Sequence, residues 1–390
     1  LASSSSPSRI GILTERYPPD VGGLAVSVRR LAVGLAARGL AVDVLALSSG
    51  DAPGSVRTCE EDGVRVHRLG RRKKVEDALA DWVALVASEH RREPFRVLHA
   101  YYVTRPAFVA VYAGGMLCVP AIVSARGNDL DRAVLDPSKA SHTLHALQHA
   151  AAITSNSQDL ARSARALAPG RRVEVIPNGV NTELFRALPR DMALSRRLGL
   201  DDTPVVGFVG EAREKKGLAH LLLAFAAVSR KRAAKLLLLG GVRKDDRPMI
   251  DVFRAQHPAL SVVVVDDVAH QELPACYALL DVLVMPSLRD GLPNALLEGM
   301  ACERAVVATD AGGMPDALTH EENGLMVRVG DVEGLAAGVE RLLTDAELRA
   351  SFGASARRTI LERFTPAREI DLTLALYAEV AGAPDGSSSS

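Results

Sequence analysis

No charge of one sign prevails in this chain: 47 lysines and arginines face 47 aspartates and glutamates, for a formal net charge of zero. No global field therefore recruits nucleic acid or an acidic membrane, and any such contact has to be local. The four cysteines, Cys59, Cys118, Cys276 and Cys302, are widely scattered, so neither a disulfide framework nor zinc-ligand spacing is visible. A reducing cytoplasm is the expected home. No apolar run approaches the length that spans a bilayer, and the Ser-rich start, Ala2 to Ser8, lacks the basic and apolar regions of a signal peptide. That stretch and the second Ser-rich end, Gly386 to Ser390, read as floppy tails.

What is present is enough apolar material for two cores. Hydrophobic residues make up 48% and charged residues 24% of 390, the balance of a soluble globular protein, and the length suits two α/β domains better than one. Disorder and collagen-like structure are excluded. RIGILT at Arg9 to Thr14 reads as a strand, followed by a Pro- and Gly-rich loop, a helix over Ala25 to Arg38 and a strand over Ala41 to Leu47. That is a βαβ unit. Strands over 64–68, 96–100, 121–124 and 151–155 and a helix over 78–89 continue the alternation, which predicts a parallel, doubly wound sheet. The pattern breaks at Pro177, Asn178 and Gly179, and the stretch from there to Asp202 reads as a connector. A second alternation follows: strands over 205–210, 236–241, 261–267, 281–287, 305–310 and 324–330, with helices over 217–230 and 294–302 and further helices from Val332 to about Glu379. Two domains are expected, 9–186 and 187–380, with room for the terminal helices to pack back on the first.

Three stretches carry chemistry. In YPPDVGGL, Tyr17 to Leu24, Gly22 and Gly23 let the backbone approach an oxygen closely, and the helix start that follows suits a phosphate or a sugar hydroxyl; a tight βα turn is the plain alternative. In FVGEAREKKG, Phe208 to Gly217, Arg213, Lys215 and Lys216 sit just past a strand end, where cations can neutralise a diphosphate or simply form a solvated turn. The strongest signal runs from Pro286 to Asp316. Asp290 and Gly291 lie in a loop, Pro293 is preorganised for a first helical turn, Glu298 lies on the helix, and Asp310, Gly312 and Gly313 form a second loop at the same sheet edge. Glycines, helix-start amides and carboxylates thus converge on one crevice.

With these residues in view, the chain resembles the large retaining glycosyltransferase family 4 group, of the two-domain type called GT-B: two facing Rossmann-like domains with parallel sheets. The resemblance covers nearly the whole chain. The Gly22–Gly23 loop, VIPNGVNTELF at 175–185, FVGEAREKKG, SLRDGLPNALLEGMA at 287–301, TDAGGMPD and ENGLMVRVGD at 322–331 fall in family order and spacing. The resemblance implies that Lys216 contacts the donor diphosphate and that Glu298, the second glutamate of an E-x₇-E motif, grips the nucleotide ribose. Asp290 holds the first position of that motif, where family members usually carry glutamate. Glu211 stands where arginine is common, so Arg213 is expected to supply the missing charge, and Arg126 in SARGNDLD stands where many members carry a histidine beside the reaction centre. Arg213, Lys216, Asp290 and Arg126 are the expected catalytic set. Gly22, Gly23, Gly210, Glu211, Gly291, Leu292, Pro293, Asn294 and Glu298 are expected to line the donor, and Asn128 and Asp129 the acceptor. The implied reaction moves a hexose-type sugar from a UDP- or GDP-linked donor to a glycan or lipid-linked acceptor, as in glycan, exopolysaccharide or glycolipid assembly, with no metal and no other cofactor. Two rivals stand beside it: a sugar-nucleotide epimerase of the same architecture and a catalytically silent nucleotide-sugar-binding subunit.

Other features carry less. Asp129-Leu130-Asp131 spells the D-x-D of metal-dependent transferases, but no further ligand follows at useful spacing. His142, His145 and His149 share a helix face and could in principle bind zinc, with surface histidines as the plainer reading. Arg71 to Lys74 precede a helix carrying Trp82, Val83, Leu85 and Val86, a pattern that admits weak peripheral contact with the inner face of a membrane or an ordinary amphipathic helix.

Overall fold

Strands buried on both faces can pair in parallel, because helices cover each side of such a sheet. The apolar runs of this chain meet that condition: all residues of the strands over 9–14, 97–101, 205–209 and 305–309 are buried. The structure, a computed structural model, describes residues 8–20 and 22–382, and for Asn128 and Asp131 the backbone. The Ser-rich ends read from the sequence lie outside these residues, apart from Ser8.

The chain forms two compact units, one ending at Asn178 and resuming at Pro366, the other comprising Gly179–Thr365. The first contains β1 (Arg9–Thr14), α1 (Gly23–Ala37), β2 (Ala41–Ser48), β3 (Val56–Glu61), β4 (Val64–Gly70), α2 (Val75–Arg92), β5 (Val97–Tyr101), α3 (Arg105–Leu117), β6 (Ala121–Ala125), α4 (Asn128–Asp131), α5 (Pro137–His149), β7 (Ala152–Ser155), α6 (Gln158–Leu167) and β8 (Val173–Val175). The second contains α7 (Met192–Arg197), β9 (Val205–Val209), α8 (Leu218–Ser229), β10 (Lys235–Leu239), α9 (Arg247–Gln256), β11 (Ser261–Val265), α10 (Leu273–Tyr277), β12 (Val282–Met285), α11 (Asn294–Ala301), β13 (Ala305–Thr309), β14 (Leu325–Val327), α12 (Val332–Thr344) and α13 (Ala346–Arg363). The last helix, α14 (Pro366–Gly382), belongs to the first unit again. The boundary at Asn178 falls ahead of the Arg186 boundary read from the sequence, because Val180 and Phe185 are buried in the second unit's core.

In the first unit eight strands run in the order β3-β4-β2-β1-β5-β6-β7-β8. Side chains alternate between two cores. Leu13, Leu45 and Leu98 face α2, α3 and α6, while Ile10, Ile12 and Val44 face α1 and α14. The sheet is not wholly parallel as the sequence suggested: β3 pairs antiparallel with β4. VRTCEE is a polar, mostly exposed edge strand, so the apolar signal of a buried strand is missing. In the second unit six parallel strands run β11-β10-β9-β12-β13-β14, with Val206 and Phe208 facing α8 and α12 while Val205 and Val209 face α11 and α13.

Two sequence readings change here. Trp82, Leu85 and Val86 of α2 are buried in the core, so the helix has no free apolar face to lay on a membrane. No helix among the described residues is long and apolar enough to cross one. His142 and His145 pack against the Phe108 ring, at centroid distances of 4.5 and 5.7 Å, and His149 stacks on His145 at 4.2 Å with its Nδ1 2.9 Å from the His145 carbonyl, while the one group of potential metal ligands among the described residues lies elsewhere.

A buried charge cluster closes the amino-terminal edge of the first sheet. Arg9 donates from Nε and Nη2 to both Asp43 oxygens at 2.8 and 2.7 Å, and from Nη2 to Glu89 at 3.2 Å. His67 Nε2 meets Asp43 Oδ1 at 2.7 Å. Asp43, His67 and Glu89 lie within metal-ligand range of one another, but Arg9 already occupies their oxygens and neutralises their charge. Burial pushes the Asp43 carboxyl up, yet the hydrogen bonds from His67 and Arg9 prevail and hold it below its ordinary value. A carboxyl with a depressed folded pKa stabilises fully above about pH 4 and loses that contribution as pH falls through the folded value. Asp43→Asn is expected to cost about 3 kcal/mol near neutrality, because Arg9 is left buried without its main partner. It is also expected to flatten the acid-side loss of stability. Thermal melts from pH 7 downward check both, and melts that parallel the wild type at every pH refute this assignment.

Candidate functional site

In an open parallel sheet a crevice opens at the carboxyl ends of two neighbouring strands whose following connections leave in opposite directions. In the second unit these strands are β9 and β12. The loop after β9 carries Gly210 to Lys216, and the loop after β12 carries Ser287 to Pro293. Backbone contacts hold these loops to each other and to the loop after β13. The Leu288 amide donates to the Lys215 carbonyl at 2.9 Å and the Gly313 amide to the Gly291 carbonyl at 3.0 Å. Gly217 has φ +74°, and a Cβ there would stand 1.9 Å from the Pro286 carbonyl oxygen; at Gly312, φ +56°, it would stand 1.8 Å from that of Asp290. Only glycine permits either approach.

This frame brings together charges far apart in sequence. Lys216 Nζ donates to Asp290 Oδ2, and the other Asp290 oxygen accepts from the Gly291 amide at 3.1 Å. Arg213 Nη1 lies 3.2 Å from Glu211 Oε2. Glu298, on α11, is buried with both oxygens engaged: His270 Nε2 at 3.2 Å from Oε1 and the Tyr277 hydroxyl at 3.1 Å from Oε2. The Phe185 ring lies edge-on to His270, 5.1 Å between centroids. Burial, and then the Glu298 charge, push the Tyr277 hydroxyl well above its ordinary pKa, so it remains a donor. Leu292 and Pro293 are buried, and Leu292 joins the core, so their side chains shape the loop from beneath. Asn294 opens α11, and Gly210 ends β9 with its amide on the Leu239 carbonyl.

The first unit has the corresponding edge between β1 and β5, with β6 alongside. Gly22 precedes α1, which begins at Gly23 and whose start no side chain among the described residues caps. Arg126 follows β6. Its guanidinium stacks 4.0 Å over the Tyr101 ring, donates from Nη1 to Asn178 Oδ1 at 2.9 Å, and leaves Nε buried without a partner among the described residues. Asp129 is buried and accepts from the Val103 amide at 3.1 Å and the Arg126 amide at 3.1 and 3.2 Å, so it fixes the turn that presents Arg126. Burial pushes its carboxyl up to about 7, against the pull of those amides. The side chains of Asn128 and Asp131 lie outside the described residues.

Behind Arg126 runs a polar chain with no signature in the sequence. His99 meets the Tyr377 hydroxyl of α14 at 2.6 Å through Nδ1 and Ser124 Oγ at 2.7 Å through Nε2. Burial, aided by the Arg126 charge, pushes the imidazole down to about 3, so it stays neutral and can donate from one nitrogen while accepting at the other. His270 and Tyr277 were also missed as partners of Glu298. Their only sequence signal is position, since both follow the end of β11, on the stretch leading into β12.

Comparison with known proteins accords with this geometry. Residues 203–345 match the family model "Glycosyl transferases group 1" and residues 21–184 match "Glycosyltransferase Family 4". The chain is 26% identical over 377 residues to an uncharacterized glycosyltransferase of Methanocaldococcus jannaschii, covering 92% of this chain and 94% of that one. Among solved structures, sucrose-phosphate synthase from Thermosynechococcus elongatus superposes with a TM-score of 0.81 at 22% identity, covering 97% of this chain and 100% of the other. The Anabaena protein HepE, in complex with UDP and glucose, gives 0.76 at 19% identity, covering 95% and 100%. The fold is GT-B.

The glycine contacts yield a prediction. Gly312→Ala forces a Cβ into the Asp290 carbonyl at a positive φ, so a destabilisation of about 1–3 kcal/mol is expected together with displacement of the Asp290 loop. Thermal melting with and without UDP checks this. A variant that melts and responds to nucleotide like the wild type would show that the close approach is dispensable.

Proposed function

We propose, from the premise that the chain belongs to glycosyltransferase family 4, that it transfers a hexose-type sugar from a UDP- or GDP-linked donor to an acceptor hydroxyl, with retention at the anomeric carbon. The observation that carries this reading is the Lys216–Asp290 pair at the β9–β12 switch point, with Glu298 on α11, the helix that follows the Asp290 loop. The HepE complex with UDP and glucose, on the same fold, favours a uridine donor as the first to test.

The physical problem is charge on the leaving group. As the glycosidic bond breaks, negative charge grows on the β-phosphate, and cations fixed beforehand stabilise it more in the transition state than in the ground state. Lys216 and Arg213 supply that charge, doing what a divalent ion does in metal-dependent transferases. Glu298, oriented by His270 and Tyr277, accepts the ribose hydroxyls. Asp290, placed by Lys216 and the Gly291 amide, lies against the donor sugar with Asn294. In the first unit, amides near Gly22 and Gly23 and the Arg126 guanidinium offer donors to anionic or hydroxyl oxygens, and the glycan or lipid-linked acceptor is assigned to the β6 edge beside Asn128. The reaction belongs to glycan, exopolysaccharide or glycolipid assembly.

Three outcomes follow from this reading. Turnover should survive EDTA, and loss restored by magnesium or manganese would overturn the metal-free mechanism. Glu298→Gln removes a charged acceptor worth about 1.5–3 kcal/mol, so UDP affinity measured by calorimetry should fall by roughly one to two decades. Asp290→Asn should leave UDP affinity undiminished, since Lys216 is released, while turnover drops sharply. If Asp290→Asn weakens UDP binding as much as Glu298→Gln does, the donor does not lie along this motif.

A further inference from the structure

Two cations at the β9–β12 crevice, Lys216 and Arg213, are paired with acids. The Lys216–Asp290 pair is largely shielded, with side-chain exposures of 17% and 15%, whereas in the Arg213–Glu211 pair the arginine is 30% and the glutamate 52% exposed. Glu211 is therefore free to turn into solvent. Arg213 is not, and its Nε is buried with no partner among the described residues. The backbone between them is clamped: the Ala212 amide donates to the Gly241 carbonyl at 2.9 Å, and the Arg243 amide to the Ala212 carbonyl at 3.0 Å. Extended dihedrals at Arg213, φ −160° and ψ 166°, keep Glu211 and Arg213 on one side of the strand-like segment, as residues two apart in extended chain must be.

We infer that Glu211 is a built-in competitor for the donor's diphosphate: its carboxylate holds the Arg213 guanidinium when the crevice is empty and must be displaced by phosphate oxygens when nucleotide enters. This rests on the donor reading above and adds to it a residue that sets affinity downward. A guanidinium offers five donors in a fixed fork, and a phosphate can take Nη1 from Glu211 and reach the unpartnered Nε as well. The displaced carboxylate stays close to the bound phosphates and repels them. Binding is weakened both for the donor and for the nucleoside diphosphate left after transfer, so the product leaves sooner. Because the clamped backbone does not move, the exchange is a side-chain rotation.

The test is calorimetric titration of UDP and of GDP into the full-length wild type, E211Q, R213A, the R213A/E211Q double variant and K216A, at low and at 0.5 M salt. E211Q is expected to bind the diphosphate about three- to tenfold more tightly than the wild type at low salt, and the gain should shrink at high salt. R213A should bind more weakly, and in its background the E211Q gain should vanish. E211Q binding no better than the wild type overturns the inference, as does a gain that persists without Arg213. These results leave the donor reading intact provided that K216A weakens binding. If the wild type binds neither UDP nor GDP, or K216A binds as well as it does, the donor reading itself falls, and this inference with it.

Discussion

At two points in the second unit the backbone of one loop touches the backbone of the next more closely than any side chain allows. Gly217 lies against the carbonyl of Pro286 and Gly312 against that of Asp290, and two amide bonds, Leu288 to Lys215 and Gly313 to Gly291, complete the seam. The loops that carry Lys216 and Asp290 are joined by this seam. Lys216 precedes one of the two glycines and Asp290 contacts the other, so their meeting is fixed by main chain rather than by the reach of flexible side chains. A site held this way reorganises little when charge develops, which is the condition for electrostatic stabilisation of a transition state.

The two units hold their cations by different means. In the second, Arg213 and Lys216 each have a carboxylate beside them. In the first, Arg126 is held by an aromatic face, an amide oxygen and the buried Ser124–His99–Tyr377 chain, with no carboxylate partner among the described residues. Asp129, the nearest acid in sequence, spends both oxygens on backbone amides. Arg126 thus has no carboxylate partner among the described residues, while Arg213 and Lys216 each have one.

Much of this was legible in the sequence. Apolar runs such as VVGFV and KLLLL announce buried parallel strands because both faces are covered, and the glycines of FVGEAREKKG and TDAGGMPD mark where loops meet. What stayed hidden depended on contacts between distant residues. β3 escaped notice because an edge strand carries no apolar alternation. The helix of Trp82 admitted either a membrane contact or an ordinary amphipathic packing until the core claimed it, and Asp129, expected to line the acceptor, is buried with both oxygens on backbone amides. The His270–Glu298–Tyr277 cluster gathers a loop and two helices, and no local pattern encodes that.

The path of the chain sets an order in time as well as in space. α14 covers α1 and the strand face carrying Ile10, Ile12 and Val44, contributing Ile370, Leu376 and Tyr377 to that core and Glu369 as the partner of Arg30. Yet it is made only after the whole of the second unit has been threaded between Asn178 and Pro366. On the ribosome, where domains generally fold in the order they emerge, the first unit waits with one apolar face bare while the second is synthesised. The second unit, contiguous in sequence, is under no such delay. The first unit, though it emerges ahead of the second, is thus completed after it.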